Sequence, residues 1–160
     1  MQSSSCDQRH HAWPLFLRTY SILVEMLDAE LQQERGLPLT WFDVLAHLAG
    51  TSGGKMRMND LSESVLLSKS GVTRLVDRME RAGLIARGAC ASDRRVVYAV
   101  ITPQGRTAFR KAAPIAFRGV EEHFSRLLEP AEEKVFTSVL ERLLDAAQAA
   151  SVRRPVKRAG

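Results

Sequence analysis

Ser68-Lys-Ser-Gly-Val-Thr-Arg-Leu-Val-Asp-Arg-Met-Glu-Arg-Ala82 is the stretch on which the reading of this chain turns. Val72, Leu75, Val76 and Met79 recur at i, i+3, i+4 and i+7, the spacing of one buried helical stripe. At about 100° per residue, Ser70, Arg74, Asp77 and Arg81 fall on the opposite side, with Thr73 and Arg78 on its flanks. The outward face is therefore polar and mostly cationic. Any amphipathic helix has such a face, so the flanking residues have to decide what it is for. Upstream, Leu61, Val65 and Leu66 give a shorter apolar pattern that predicts a helix from Asn59 to about Leu66, with Asn59 as its N-cap. Downstream, Gly83 supplies a helix stop, Leu84–Arg87 can form a short strand, and the β-branched run Val96–Ile101 can pair back onto it. Between those strands lies a flexible loop, Gly88–Arg95, that ends in two arginines. Helix, turn, helix and basic hairpin in that order predict a winged helix-turn-helix, a fold that is mainly α (α+β).

The charge distribution supports this assignment. The chain has 160 residues, a net charge of +5 and 45% hydrophobic residues, enough for one domain with its own core. Residues 1–54 carry three Lys/Arg against six Asp/Glu, whereas residues 55–111 carry twelve against five. Residues 112–150 carry four against seven, and the last ten carry four against none. The cationic excess therefore sits on the winged segment, which points to a polyanionic partner such as nucleic acid.

Other function classes find little support in the residues. No apolar run of about 18 residues exists and the N-terminal segment lacks the apolar centre of a signal peptide, so a cytoplasmic protein with no membrane partner is expected. The two cysteines, Cys6 and Cys90, make no disulfide framework. The four histidines, at 10, 11, 47 and 123, form no ligand-spaced cluster, so neither a metal nor another cofactor is expected. Gly50–Gly54 with Lys55 is the nearest approach to a phosphate-binding loop, and it lacks the Walker spacing and a preceding strand. No enzyme is expected.

Outward from the centre, residues 1–12 form a polar tail expected to be disordered. Phe16, Leu17, Tyr20, Leu23, Val24, Leu27 and Leu31 predict a long helix over about 13–35, ended by Gly36. Thr40 and Asp43 resemble a capping box that starts a second helix at Trp41 and runs to about Ala49. Lys55–Met58 can add a third strand to the wing. Thr102 and Pro103 read as the N-cap and first position of a further helix, with Phe109, Ala113, Ala116, Phe117, Val120 and Phe124 as its stripe and a kink expected at Pro114. A last helix runs from Pro130 to about Ala149 with Glu132 and Glu133 in its first turn. The resulting division is a domain over 13–150, with the winged part at about 40–102 and flanking helices at about 13–35 and 103–150, followed by a basic disordered tail at 151–160. A winged helix closes its core without the first and last helices. Their apolar stripes are therefore expected to be buried against a second copy of the chain.

The order of elements resembles the MarR family of bacterial transcriptional regulators. The resemblance is carried by the string from Leu67 to Leu84, by Asp93-Arg-Arg95 and by Ile101-Thr-Pro-Gln-Gly105, and it covers nearly the whole chain. It implies a homodimer joined by its first and last helices, a pseudo-palindromic DNA operator, repression, and release by a small aromatic or phenolic ligand. Carried over by position, Ser68, Lys69, Ser70, Thr73 and Arg74 would face the major groove, with Arg78 nearer a phosphate. Arg74 has the fork to take guanine O6 and N7. Asp77 would then be the partner of Arg74 and Arg81. In the wing, Asp93 would brace Arg95 in a narrow minor groove, with Arg94 at its edge. The ligand is expected where the first two helices meet the fifth, near Trp13, Phe16, Tyr20, Trp41, Phe42 and His47. Thiol-based redox sensing through Cys90, in its arginine-bearing loop, is the alternative within the same fold.

Overall fold

A computed structural model describes residues 11–65, 69–89 and 96–153. Among these residues, six α-helices and three strands follow one another as α1 (Ala12–Arg35), α2 (Leu39–Gly50), β1 (Lys55–Arg57), α3 (Met58–Ser64), α4 (Lys69–Arg81), β2 (Ile85–Ala89), β3 (Val97–Ile101), α5 (Pro103–His123) and α6 (Pro130–Arg153). Short 3₁₀ turns at Ser52–Gly54 and Ser125–Leu127 link α2 to β1 and α5 to α6. The chain divides into two units, residues 1–120 and 121–160.

In the first unit the apolar periodicities collapse into one core. Val72, Leu75, Val76 and Met79 of α4 are all buried, together with Leu31 of α1, Val44, Leu45 and Leu48 of α2, and Leu61 and Val65 from α3 and its exit. The sheet has the order β1-β3-β2 and is antiparallel throughout, with Ile85 opposite Ile101, Arg87 opposite Ala99 and Met56 opposite Ala99 on the other side. Its inward row, Ile85, Ala99 and Ile101, closes the core from below. Loss of a large buried α4 side chain should be costly. Leu75→Ala is expected to lower stability by about 2–5 kcal/mol, measurable by denaturant unfolding.

Local chemistry sets the boundaries. Gly36 adopts a left-handed conformation, φ 61°, and its N–H bonds to the Gln32 carbonyl to end α1. Gly83, φ 73°, ends α4 in the same region of backbone space. There Gly83 N–H bonds to Glu80 O and Leu84 N–H to Met79 O, a Schellman pair that turns the chain from α4 straight into β2. Thr102 caps α5 as expected, its hydroxyl oxygen accepting the Gly105 N–H at 3.0 Å. The same hydroxyl lies 2.7 Å from the Gly83 carbonyl and donates to it, which fastens the start of α5 to the turn after α4.

Several expectations need correcting. Thr40 does not cap α2, which begins two residues earlier than expected, at Leu39 behind Pro38. The Leu39 N–H is satisfied instead by the Asp28 carboxylate of α1 at 2.7 Å, a long-range cap that no local motif reveals. Asn59 is not the N-cap of α3 either, because that helix starts at Met58 with Arg57 at the cap position. On α5 the buried side is Gly105, Ala112, Ile115, Ala116 and Gly119. Phe117 and Val120 are exposed, so the single stripe expected from Phe109 to Phe124 divides between two sides. The helix continues through Pro114. In the second unit, α6 extends to Arg153, past the expected tail boundary, and Phe124 stacks obliquely on Phe136 at 5.8 Å.

Candidate nucleic-acid interface

The outer side of α4 is built by the same periodicity that buries its inner side. Thr73, Arg74, Arg78 and Arg81 are exposed, and among the described residues neither Arg74 nor Arg78 is ion-paired. Lys69 and Ser70 lie in the first turn of α4. Ser68, Asp93, Arg94 and Arg95, and with them the redox candidate Cys90, lie outside the described residues.

Two carboxylates on α4 would weaken an anion-binding face, and the structure disposes of both. Asp77 is not the partner of Arg74. Its carboxylate takes Arg87 of β2 at 2.5 Å, and Arg81 donates only to the Asp77 backbone carbonyl, at 3.1 Å. Arg87 also pairs with the Glu80 carboxylate at 2.9 Å, while the Arg87 backbone N–H donates to the other Glu80 oxygen at 3.0 Å. One arginine thus bridges the two acidic residues of α4 and fixes the strand leading to the wing against the helix. Sequence reasoning left Arg87 as a strand end. The available signal was period two: Arg87 lies two residues after the buried Ile85 and so shares its face of the sheet, the face that packs on α4.

The rest of the sheet is tied in similar ways. The Lys55 ammonium of β1 lies 5.4 Å from the centre of the Tyr98 ring on β3. Below the helix-turn-helix, Arg118 of α5 pairs with Glu34 of α1, and Gly119 lets the two helices approach, since a Cβ there would fall 2.6 Å from Leu27 Cδ2.

The expected aromatic cleft divides into separate settings. Trp13, Phe16 and Tyr20 on α1 are exposed, with Trp13 and Phe16 stacked at 6.3 Å. Phe42 is core, stacked on Phe109 at 5.5 Å, and Trp41 packs against the core while remaining half-buried. His47 lies 3.5 Å from the Asp43 carboxylate one turn earlier. Burial raises the Asp43 carboxyl above the usual carboxylate range, with His47 partly offsetting the effect. A carboxyl raised in the folded state favours folding at pH below its unfolded value, and that contribution is lost as pH rises through the folded value. Asp43→Asn is therefore expected to raise the melting temperature more at pH 7.5 than at pH 4; a gain that grows as pH falls would contradict the assignment.

Comparison with known proteins agrees with this geometry. The family model for MarR matches residues 35–96, which span α2 to the wing loop. The regulator MhqR of Bacillus subtilis is 30% identical over 126 residues, covering 79% of this chain and 84% of that protein. The chain belongs to the MarR family. It is a transcriptional regulator with a winged helix-turn-helix. AbsC, a MarR-family regulator from Streptomyces coelicolor, superposes with a TM-score of 0.83 at 32% identity, covering 89% of this chain and 96% of that one. The fold is also shared with Sco3205 from the same organism, solved in complex with DNA, at a TM-score of 0.83 and 24% identity over 88% of each chain. Among the described residues of this MarR-family chain, no helix is long and apolar enough to cross a membrane.

Proposed function

We propose that this MarR-family regulator binds double-stranded DNA sequence-specifically as a homodimer, on a pseudo-palindromic operator, and represses by occupying it. The observation that carries the proposal is the double ion pair of Arg87, which takes up Asp77 and Glu80 and leaves Arg74 and Arg78 exposed on a fixed helix. Such a face suits the major groove, where hydroxyls and arginines meet phosphates and a forked guanidinium can read guanine. In this reading Ser68, Lys69, Ser70, Thr73 and Arg74 face the bases and backbone, Arg78 meets phosphate, and Asp93, Arg94 and Arg95 belong to a wing in the minor groove. Dimerisation is supported by unspent apolar surface. Trp13, Leu15, Phe16, Leu17 and Tyr20 on α1 and Val135, Leu143 and Leu144 on α6 are exposed, far more than scattered surface apolar residues require. The same proposal includes a small aromatic or phenolic ligand that releases the DNA. The open rings of Trp13, Phe16 and Tyr20 and the half-buried Trp41 are available to it, whereas Phe42 belongs to the core and His47 sits beside Asp43.

The test is titration of the protein into the duplex upstream of its own reading frame and into a random duplex of equal length. Specific binding of one dimer per duplex, tighter than on random DNA by a factor on the order of 10³ or more and weakening steeply with salt, is expected. Equal affinity for the two duplexes would refute sequence-specific regulation. Arg87→Ala, which releases Asp77 and Glu80 to face the phosphates, should weaken binding to both duplexes about tenfold or more. It should leave the melting temperature within a few degrees, because the ion pairs are half-exposed.

A further inference from the structure

The two faces of the three-stranded sheet differ in chemistry. Alternation along the strands turns Met56, Ile85, Ala99 and Ile101 toward the core. It turns Lys55 and Arg57 of β1, Tyr98 and Val100 of β3, and Ala86 and Gly88 of β2 the other way. On that outer face Arg57 lies beside Tyr98 and then Gly88, and Lys55 beside Val100 and then Ala86. Lys55, Arg57 and Ala86 are exposed, and none of the six is a carboxylate. Lys55 is held in place, its ammonium 5.4 Å from the centre of the Tyr98 ring. An ammonium over a ring can still give its N–H donors to an oxygen. Two side chains on one side of an extended strand, two residues apart, stand about 7 Å from each other, close to the spacing of successive phosphates along a DNA strand. The outer face therefore presents a pair of cations at phosphate spacing, next to a ring and two small residues that leave room for a chain to lie across them.

We propose that this outer face binds the sugar-phosphate backbone of the DNA flanking each half-site, Lys55 and Arg57 each taking a phosphate and Tyr98 lying against the sugar between them. The inference rests on the DNA-binding reading above and adds to it a surface that neither α4 nor the wing loop supplies. Its direction follows from the fold. The recognition helix packs on the inner face of the sheet, where Arg87 ties β2 to it. With α4 in a major groove and the wing in the adjacent minor groove, the outer face looks away from α4, toward the strand on the far side of that minor groove. Contacts there go to phosphate and sugar alone, so they add affinity without sequence preference and lengthen the footprint outward from the operator.

The test compares two operator duplexes, one cut at the ends of the palindrome and one carrying about five further base pairs of arbitrary sequence on each side, half a helical turn. The native protein is expected to bind the longer duplex about tenfold more tightly, with hydroxyl-radical protection running into the added pairs. Lys55→Gln/Arg57→Gln should lose both the advantage and the added protection. Its salt slope on the longer duplex should fall by roughly two to four, at about 0.9 for each phosphate contact the dimer gives up. On the shorter duplex, which lacks those phosphates, it should match the native protein within about twofold. Lys55→Arg/Arg57→Lys keeps both charges and should keep the long footprint, which separates loss of charge from damage to the strand. Undiminished protection of the added pairs in the glutamine variant, an unchanged salt slope, or an equal loss on the two duplexes would each overturn the flanking contact. Each of these leaves intact a native preference for operator over random DNA, the result on which the DNA-binding reading itself stands or falls.

Discussion

Replacing Leu143 and Leu144 together by lysine is expected to turn the protein into a monomer and to lower its affinity for a full operator by a factor on the order of 10²–10⁴. Both side chains are more than half exposed on α6, where single-chain packing gives them nothing to cover. A dimer places its two recognition helices one turn of DNA apart, so binding of the first half-site supplies the second at high effective concentration. Two lysines buried from each protomer, four across a symmetric interface, would remove that advantage. The helix itself should survive, because lysine is a good helix former and the positions are exposed within the chain. Sedimentation and circular dichroism separate these effects. A monomer with native helix content that still binds a full operator at native strength would refute the assigned role of α6.

Gly105→Ala is expected to add a methyl group where the backbone leaves it no room. A Cβ at this position would fall 2.0 Å from the Leu84 backbone carbonyl oxygen and 3.0 Å from Ile101 Cγ1. The nearer obstacle is backbone, and it belongs to the turn fastened by Thr102, so no side-chain rotation relieves the clash. The first turn of α5 must shift away from the α4–β2 joint. Overpacking of this kind costs about 3 kcal/mol, or roughly 6–12 °C of melting temperature for a chain of this size. A variant that melts within 2 °C of the native protein would contradict the tight approach. Gly36→Ala meets no atom within 4 Å and strains only the left-handed backbone, so it should cost about 1 kcal/mol.

What could be read from the sequence was whatever depends on period and on local caps. Val72, Leu75, Val76 and Met79 fixed both sides of α4 at once, because burying four residues of a helix determines where the other residues point. Thr102-Pro103 gave the start of α5, since a cap is satisfied within three residues. The errors came where partners lie far away in the chain. Thr40 and Asp43 looked like a capping box, but Asp28 of α1 reaches the helix start first. Asp77 seemed to belong to its helical neighbours, yet Arg87, on the neighbouring strand, takes it and also collects Glu80. On α5, periodicity could not say that Phe117 and Val120 would stay exposed while Gly119 went inward, because that choice depends on Leu27 and Glu30 of α1 needing room. Which aromatic rings share a wall depends on contacts between helices distant in sequence, which periodicity does not encode. Phe42 instead packs against Phe109 in the core.

The central claim is that the exposed side of α4 reads bases through Arg74, and one measurement tests it most directly: the affinity of Arg74→Ala and of the native protein for the specific operator and for a random duplex, at one salt concentration. The account predicts a loss of about 1–3 kcal/mol per half-site on the operator and a much smaller loss on random DNA. Equal losses on the two duplexes would mean that Arg74 only neutralises phosphate, and that the specificity of this protein lies in residues other than Arg74.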